Sequence, residues 1–142
     1  MSDAPRIVAI VGATATGKTA LAEALAERIG GEIVCADSRQ VFRELEIGTG
    51  KPGPAERAAV PHHLFDALGL DGRPSAGWYA RAAAEALHAI DARGRVPILV
   101  GGSGLYLRAL MSGLAAEPPR SPAIRARLEA ELASDGPEAL HG

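Results

Sequence analysis

Residues Gly12–Thr19 read GATATGKT and fit the pattern GxxxxGK[ST] at every fixed position. Both flanks agree with it. Ile7–Val11 (IVAIV) is a β-branched apolar run of strand length, and Ala20–Ile29 (ALAEALAERI) has helical spacing with Leu21, Leu25 and Ile29 on one face. Strand, glycine loop and helix in that order make a nest of backbone N–H groups at the positive end of a helix, shaped for a di- or triphosphate. Gly12, Ala13, Thr14, Ala15, Thr16 and Gly17 are expected to cradle phosphate. Lys18 is expected to reach its outer oxygens, and the Thr19 hydroxyl to ligate Mg²⁺. The chain should bind a phosphorylated ligand.

Beyond the loop the chain alternates strands and helices. A second strand, Glu32–Ala36, follows the Gly30–Gly31 helix stop and ends at Asp37. A glycine- and proline-rich loop spans Ile47–Pro54, and Pro61–Asp66 holds a short third strand. Ser75 is a candidate cap for a helix from Ala76 to Arg93, stopped by Gly94. Val96–Val100 is a fourth apolar strand, Gly101–Gly104 (GGSG) a second glycine turn, and Leu105–Ser112 a helix. This order implies an α/β fold with a parallel sheet flanked by helices, its ligand beyond the carboxyl ends of the strands. The phosphate loop, Asp37 and the GGSG turn all fall at such ends and should converge on one cleft.

Composition narrows the class. Of 142 residues, 47% are hydrophobic and 23% charged, ordinary for a globular domain. No apolar run approaches the ~20 residues of a membrane span, and MSDAPR lacks the order of a signal peptide. Cys35 is the one cysteine, so no intrachain disulfide can form. That suits a reducing, cytoplasmic setting, with Cys35 as a small core residue. The net charge of −2 gives no overall attraction to nucleic acid, although Arg39, Arg43, Lys51 and Arg57 cluster, as do Arg120, Arg125 and Arg127. Adjacent His62 and His63 point to opposite faces of a strand and make a poor metal pair. Trp78 and Tyr79 read as packing residues. Lys51 lies near the cleft, where a role with phosphate is open.

After a proline-rich break at Glu117–Pro122, Ala123–Ala133 is an amphipathic helix with Ile124, Leu128 and Leu132 on one face. A core of this type needs a fifth strand, so the chain reads as the N-terminal portion of something longer. The alternative is that this helix packs back on the sheet.

GATATGKT, ADSRQVF (36–42), IGTGKP (47–52), PHHLFD (61–66) and GRVPILVGGSGLYLRAL (94–110) stand in the order seen in tRNA dimethylallyltransferases, the tRNA isopentenyltransferases. The chain resembles that family from Ile7 to about Arg127. Ala13, Phe42 and Ser103 depart from its common proline, tyrosine and threonine, and the chain is about half the usual length. The resemblance implies a P-loop nucleoside-triphosphate-hydrolase-like core over 1–116, incomplete, and the start of a helical tRNA-binding insert over 117–142.

It also implies a chemistry. The family transfers a dimethylallyl group from dimethylallyl diphosphate to the exocyclic amine of the adenosine 3′ of the anticodon. Diphosphate leaves, stabilised by loop amides, Lys18 and Mg²⁺. Asp37 matches the family's general base; the alternative for it is an outer ligand of Mg²⁺. Ser38, Arg39 and Gln40 would hold the adenine, Ser103 would line the same channel, and Arg125 matches an arginine that touches tRNA, or else is a solvated surface residue. Expected partners are dimethylallyl diphosphate and the tRNA anticodon stem-loop, with no membrane and a monomeric full-length protein. The 142-residue chain alone is expected to prenylate tRNA poorly and to aggregate. Rival readings are an ATP-dependent small-molecule kinase, an adenylate isopentenyltransferase acting on free nucleotide, and a fragment that binds without turnover.

Overall fold

A computed structural model describes residues 5–114 and 121–141. Four strands, β1 (Val8–Val11), β2 (Gly31–Cys35), β3 (His62–His63) and β4 (Val96–Gly101), form an all-parallel sheet in the order β1-β4-β2-β3. The described helices are α1 (Lys18–Ile29), α2 (Pro54–Ala59), α3 (Ala76–Ala92), α4 (Gly104–Ser112) and α5 (Pro122–Asp135). Every strand expected from the sequence is present. Helix α2 was not foreseen; it starts on Pro54, which suits a first helical turn because proline has no N–H to leave unpaired.

Strand β2 is buried along its whole length, as a parallel strand must be when helices cover both faces. On one face Val34 and Leu99 pack with Tyr79, Ala83, Leu87 and Ile90 of α3 and Tyr106 of α4. On the other, Ile33, Ile98 and Val100 meet Ala22 and Ala26 of α1. That corrects the expected face of α1. Leu25 flanks the core, but Leu21 and Ile29 are exposed while Ala22 and Ala26 are buried. The sheet's own branched side chains fill the interlayer space, so the helix presents its small residues there and lies close.

Ser75 caps α3 as expected, its hydroxyl accepting from the Trp78 amide at 3.0 Å. Tyr79 and Tyr106 stack with centroids 4.2 Å apart and join α3 to α4, while Trp78 is half-buried against the same cluster. Cys35 is fully buried and its thiol is pushed up to about 12 by burial, so it is a core residue and not a nucleophile. Ser121 caps α5, its hydroxyl accepting from Ile124 N–H at 3.3 Å. No residue of α5 is buried, and Ile124, Leu128 and Leu132 are exposed, so this helix does not pack back on the sheet. The Glu117–Arg120 part of the expected break, with Arg120, lies outside the described residues.

The carboxyl ends of β1, β2 and β4 meet at unusually close range. A Cβ placed on Gly101 would lie 2.2 Å from the Ala36 carbonyl oxygen, and one on Gly102 would lie 2.8 Å from that of Gly12. Backbone cannot yield as a side chain can. Gly101→Ala should therefore cost about 3 kcal/mol, the upper part of the range for overpacking. Gly104→Ala, at an open position starting α4, should be neutral or slightly stabilising. Urea unfolding of the two variants checks the contrast.

Candidate phosphate-binding and transfer site

The loop after β1 folds as its sequence requires. Gly17 caps α1 with φ 82°, a conformation that disfavours a side chain, and α1 has no side-chain cap, so its first amides face outward. The Thr16 hydroxyl donates to the Ala13 carbonyl at 2.9 Å, and the Lys18 amine donates to the same carbonyl. Ala15 takes φ 62°, a strained setting for a residue with a Cβ.

The turn after β2 carries Asp37. Its Oδ1 accepts from the amides of Arg39 (2.8 Å) and Gln40 (3.3 Å), which pins the carboxylate at the strand end. The turn after β4 reaches it: Ser103 N–H donates to the Ala36 carbonyl at 3.1 Å, and Ser103 Oγ accepts from Ser38 N–H at 2.9 Å. The Gln40 amide nitrogen donates to the Thr49 carbonyl at 2.7 Å, tying in the 47–54 loop. These residues line two adjoining cavities. The larger, about 320 Å³, holds the phosphate loop from Thr14 through Thr19 together with Gln40 and Thr49. The smaller, about 140 Å³, holds Gly12, Ala13, Ser38, Arg39 and Ser103. Thr14, Asp37 and Gly102 belong to both.

Sequence reasoning missed one further contributor, the segment after β3. Phe65 lines the larger cavity. Leu64 and Asp66 on either side of it take φ 64° and 55°, costing about 1–2 kcal/mol each for residues with a Cβ. Asp66 is held by two cations, Lys51 (2.7 Å) and Arg57, and its amide donates to the Gln40 carbonyl at 3.3 Å. Burial pushes the Asp66 carboxyl up, but hydrogen bonds from Lys51 and Arg57 outweigh this and hold it below the usual carboxylate value.

Lys51 is therefore not disposed to bind phosphate. Its side chain is only 4% exposed, and its amine also donates to the carbonyls of Phe42 (2.6 Å) and Arg43 (3.4 Å). The hint available in the sequence was the pairing of an isolated lysine in IGTGKP with an isolated aspartate in PHHLFD.

The sequence model described as IPP transferase matches residues 40–142, more than half of the chain. The chain belongs to this family. A "tRNA dimethylallyltransferase" of Anaeromyxobacter sp. (strain Fw109-5) is 57% identical over 136 residues, 96% of this chain and 45% of that protein. The full-length tRNA isopentenylpyrophosphate transferase of Bacillus halodurans matches with TM-score 0.75 and 41% identity over 96% of this chain and 45% of its own. A eukaryotic dimethylallyltransferase acting on tRNA matches with TM-score 0.78 and 28% identity over 89% and 32%. The chain thus spans about 45% of the length of the curated relatives it matches. The fold of this IPP transferase family member is the P-loop core expected from the sequence.

Of the site residues expected from sequence, Gly12 to Thr19, Asp37 to Gln40 and Ser103 line these two cavities. Arg125 does not: it lies on the exposed face of α5 and pairs with Glu129 at 2.9 Å. Among the described residues no group of three His, Cys, Asp or Glu is disposed to hold a metal. No helix among them is long and apolar enough to cross a membrane.

At the opposite end of the sheet, buried Glu32 accepts from Arg93 Nη2 at 2.7 Å and pairs with His63 Nε2 at 2.6 Å. His62 turns the other way, to the Val60 carbonyl (2.8 Å) and Glu23 (3.6 Å). Burial raises the Glu32 carboxyl, but hydrogen bonds from Arg93 and His63 prevail and its pKa lies below 4.5. Its unfolded form then takes up a proton first on acidification. The stabilisation is complete above about 4.5 and is lost as pH falls through the lower folded value. Glu32→Gln should cost about 1.5–3 kcal/mol at pH 7, the range for hydrogen bonds to a charged group. The gap from wild type should narrow below pH 4.5. Denaturant unfolding at both pH values measures it.

Proposed function

We propose that the whole protein transfers a dimethylallyl group from dimethylallyl diphosphate to the exocyclic amine of an adenosine beside the anticodon of tRNA. The observation that carries this reading is the pair of cavities meeting at Asp37. The larger contains Lys18, Thr19 and the start of α1, while the smaller contains Ser38, Arg39 and Ser103 beside Gly12 and Ala13 at the head of the loop, which suits a site joining a diphosphate donor to a second substrate.

In this reading the amine attacks the first carbon of the allyl group while the bond from that carbon to the diphosphate oxygen breaks. The electron pair leaves with diphosphate, and the amine's proton passes to Asp37. Loop amides at the start of α1 and the Lys18 ammonium stabilise the growing negative charge. The Ala13 carbonyl that Lys18 now contacts is a weaker partner than a phosphate oxygen, so the amine would turn to the ligand. Asp37 Oδ1 is fixed by two amides, which leaves the carboxylate oriented and able to accept a proton. Ser38, Arg39, Gln40 and Ser103 would hold the adenine, which must leave its stack to enter. Arg125 would touch the tRNA outside the cavities.

Mg²⁺ fits the donor set. The Thr19 hydroxyl lines the cavity that holds the phosphate loop, and Mg²⁺ is commonly held by one or two protein oxygens together with phosphate oxygens and waters. Bound there by Thr19, it would neutralise diphosphate charge.

Lys18→Ala should weaken Mg²⁺-dependent binding of dimethylallyl diphosphate about tenfold or more, the loss of a charge-assisted contact worth roughly 1.5–3 kcal/mol. Calorimetry giving equal affinities would end the assignment, and much tighter binding of ATP would favour a kinase. Asp37→Asn keeps the shape and removes the proton acceptor. It should leave diphosphate binding nearly unchanged while lowering transfer to tRNA by about 10²–10⁴ in the whole protein. Loss of diphosphate binding instead would make Asp37 a ligand of the metal.

A further inference from the structure

The larger cavity has two chemically different parts. One is the phosphate loop with Lys18 and Thr19; the other is apolar, formed by Ile33, Phe65 and Val100. Ile33 and Val100 stand on the sheet, whereas Phe65 is presented by a loop. Its neighbours Leu64 and Asp66 are both in the left-handed region. The ring meets His62 edge-on, with centroids 5.3 Å apart at 75°, and the Arg57 guanidinium carbon lies 5.3 Å from its centroid. The same Arg57, with buried Lys51, grips the Asp66 carboxylate, and the Asp66 amide is tied to the Gln40 carbonyl.

Backbone strain persists only where the surroundings over-determine it, and it gathers at places where a side chain must be presented in one way. Here the ion pairs and hydrogen bonds around Asp66 supply that constraint. An aromatic ring held on both sides cannot retreat as a methionine or lysine could. Nor can an apolar wall pair the hydroxyls of a ribose, which would be left without hydrogen bonds there.

We infer that Phe65 sets the length of the hydrocarbon that the site accepts on a diphosphate, admitting a five-carbon allyl group and excluding a ten-carbon one. This rests on the diphosphate reading above. Phe65 is then a specificity-determining residue, and the Lys51–Asp66–Arg57 cluster is its mount.

The test uses the whole protein, Mg²⁺ and three probes of like charge: methyl, dimethylallyl and geranyl diphosphate. In the unmodified protein, dimethylallyl diphosphate should bind at least about tenfold tighter than the methyl compound, because four more carbons are buried. Geranyl diphosphate should bind at least about tenfold weaker than dimethylallyl diphosphate, since the added carbons meet a packed wall. Phe65→Ala should reverse the order of the two longer probes. Phe65→Trp should weaken dimethylallyl diphosphate and leave the methyl compound unchanged. Phe65→Leu, the milder substitution, should shift the geranyl-to-dimethylallyl ratio in the same direction as Phe65→Ala. Retained methyl diphosphate affinity reports that each variant is folded.

Two results overturn the inference alone. One is geranyl diphosphate binding the unmodified protein as tightly as the dimethylallyl compound. The other is Phe65 variants that move both longer probes in parallel while methyl diphosphate still binds in a Lys18-dependent way. If methyl diphosphate fails to bind, or binds equally to Lys18→Ala, the diphosphate reading falls and the inference falls with it.

Discussion

The site depends on a backbone contact that admits no side chain. Gly101 packs on the Ala36 carbonyl and Gly102 on that of Gly12, so the ends of β4, β2 and β1 come together with nothing between them. Because the strands are parallel, the loops that leave those ends start from one small area. The phosphate loop, the Asp37 turn and the Ser103 turn are neighbours for that reason. The hydrogen bonds from Ser103 to Ala36 and from Ser38 to Ser103 then lock two of the three turns together.

Charge is handled differently at the two ends of the sheet. Glu32 at one end and Asp66 beside the site are each matched by two cationic or protonatable partners, which compensates for their burial. Asp37 receives only neutral amides on one oxygen. A carboxylate committed to two cations is a poor proton acceptor, whereas Asp37 forms no ion pair among the described residues. The distinction separates the carboxylates that hold the structure from the one proposed as the proton acceptor. It also explains why Lys51, a natural suspect near a phosphate site, is occupied elsewhere.

The three turns and the segment after β3 make a continuous surface on which polar and apolar chemistry meet. The phosphate-loop backbone, a fixed carboxylate and an aromatic side chain all fall within one cavity of about 320 Å³. The second cavity shares Asp37 with the first and is lined also by Ser38 and Arg39 of the same turn, with Gly12, Ala13 and Ser103. Consecutive residues in a tight turn reach both sides of a carboxylate, which a strand with its two-residue alternation cannot do.

What the sequence determined by itself was local. GATATGKT dictated a phosphate loop because glycine spacing, a preceding β-branched run and a following helix are all short-range features, and alternating strands and helices dictated a parallel sheet. Ser75 as a cap, Cys35 as core and the divergence of His62 from His63 follow from neighbouring residues alone. The tertiary structure decided whatever depended on partners distant in the chain. Which face of α1 is buried was set by the bulk of Ile33, Ile98 and Val100, so the leucine stripe gave the wrong answer. Lys51 found Asp66 fifteen positions away, and Phe65 reached the cavity through backbone angles that no propensity predicts. The close approach of Gly101 to Ala36 exists only because β2 and β4, more than sixty residues apart, are paired in register.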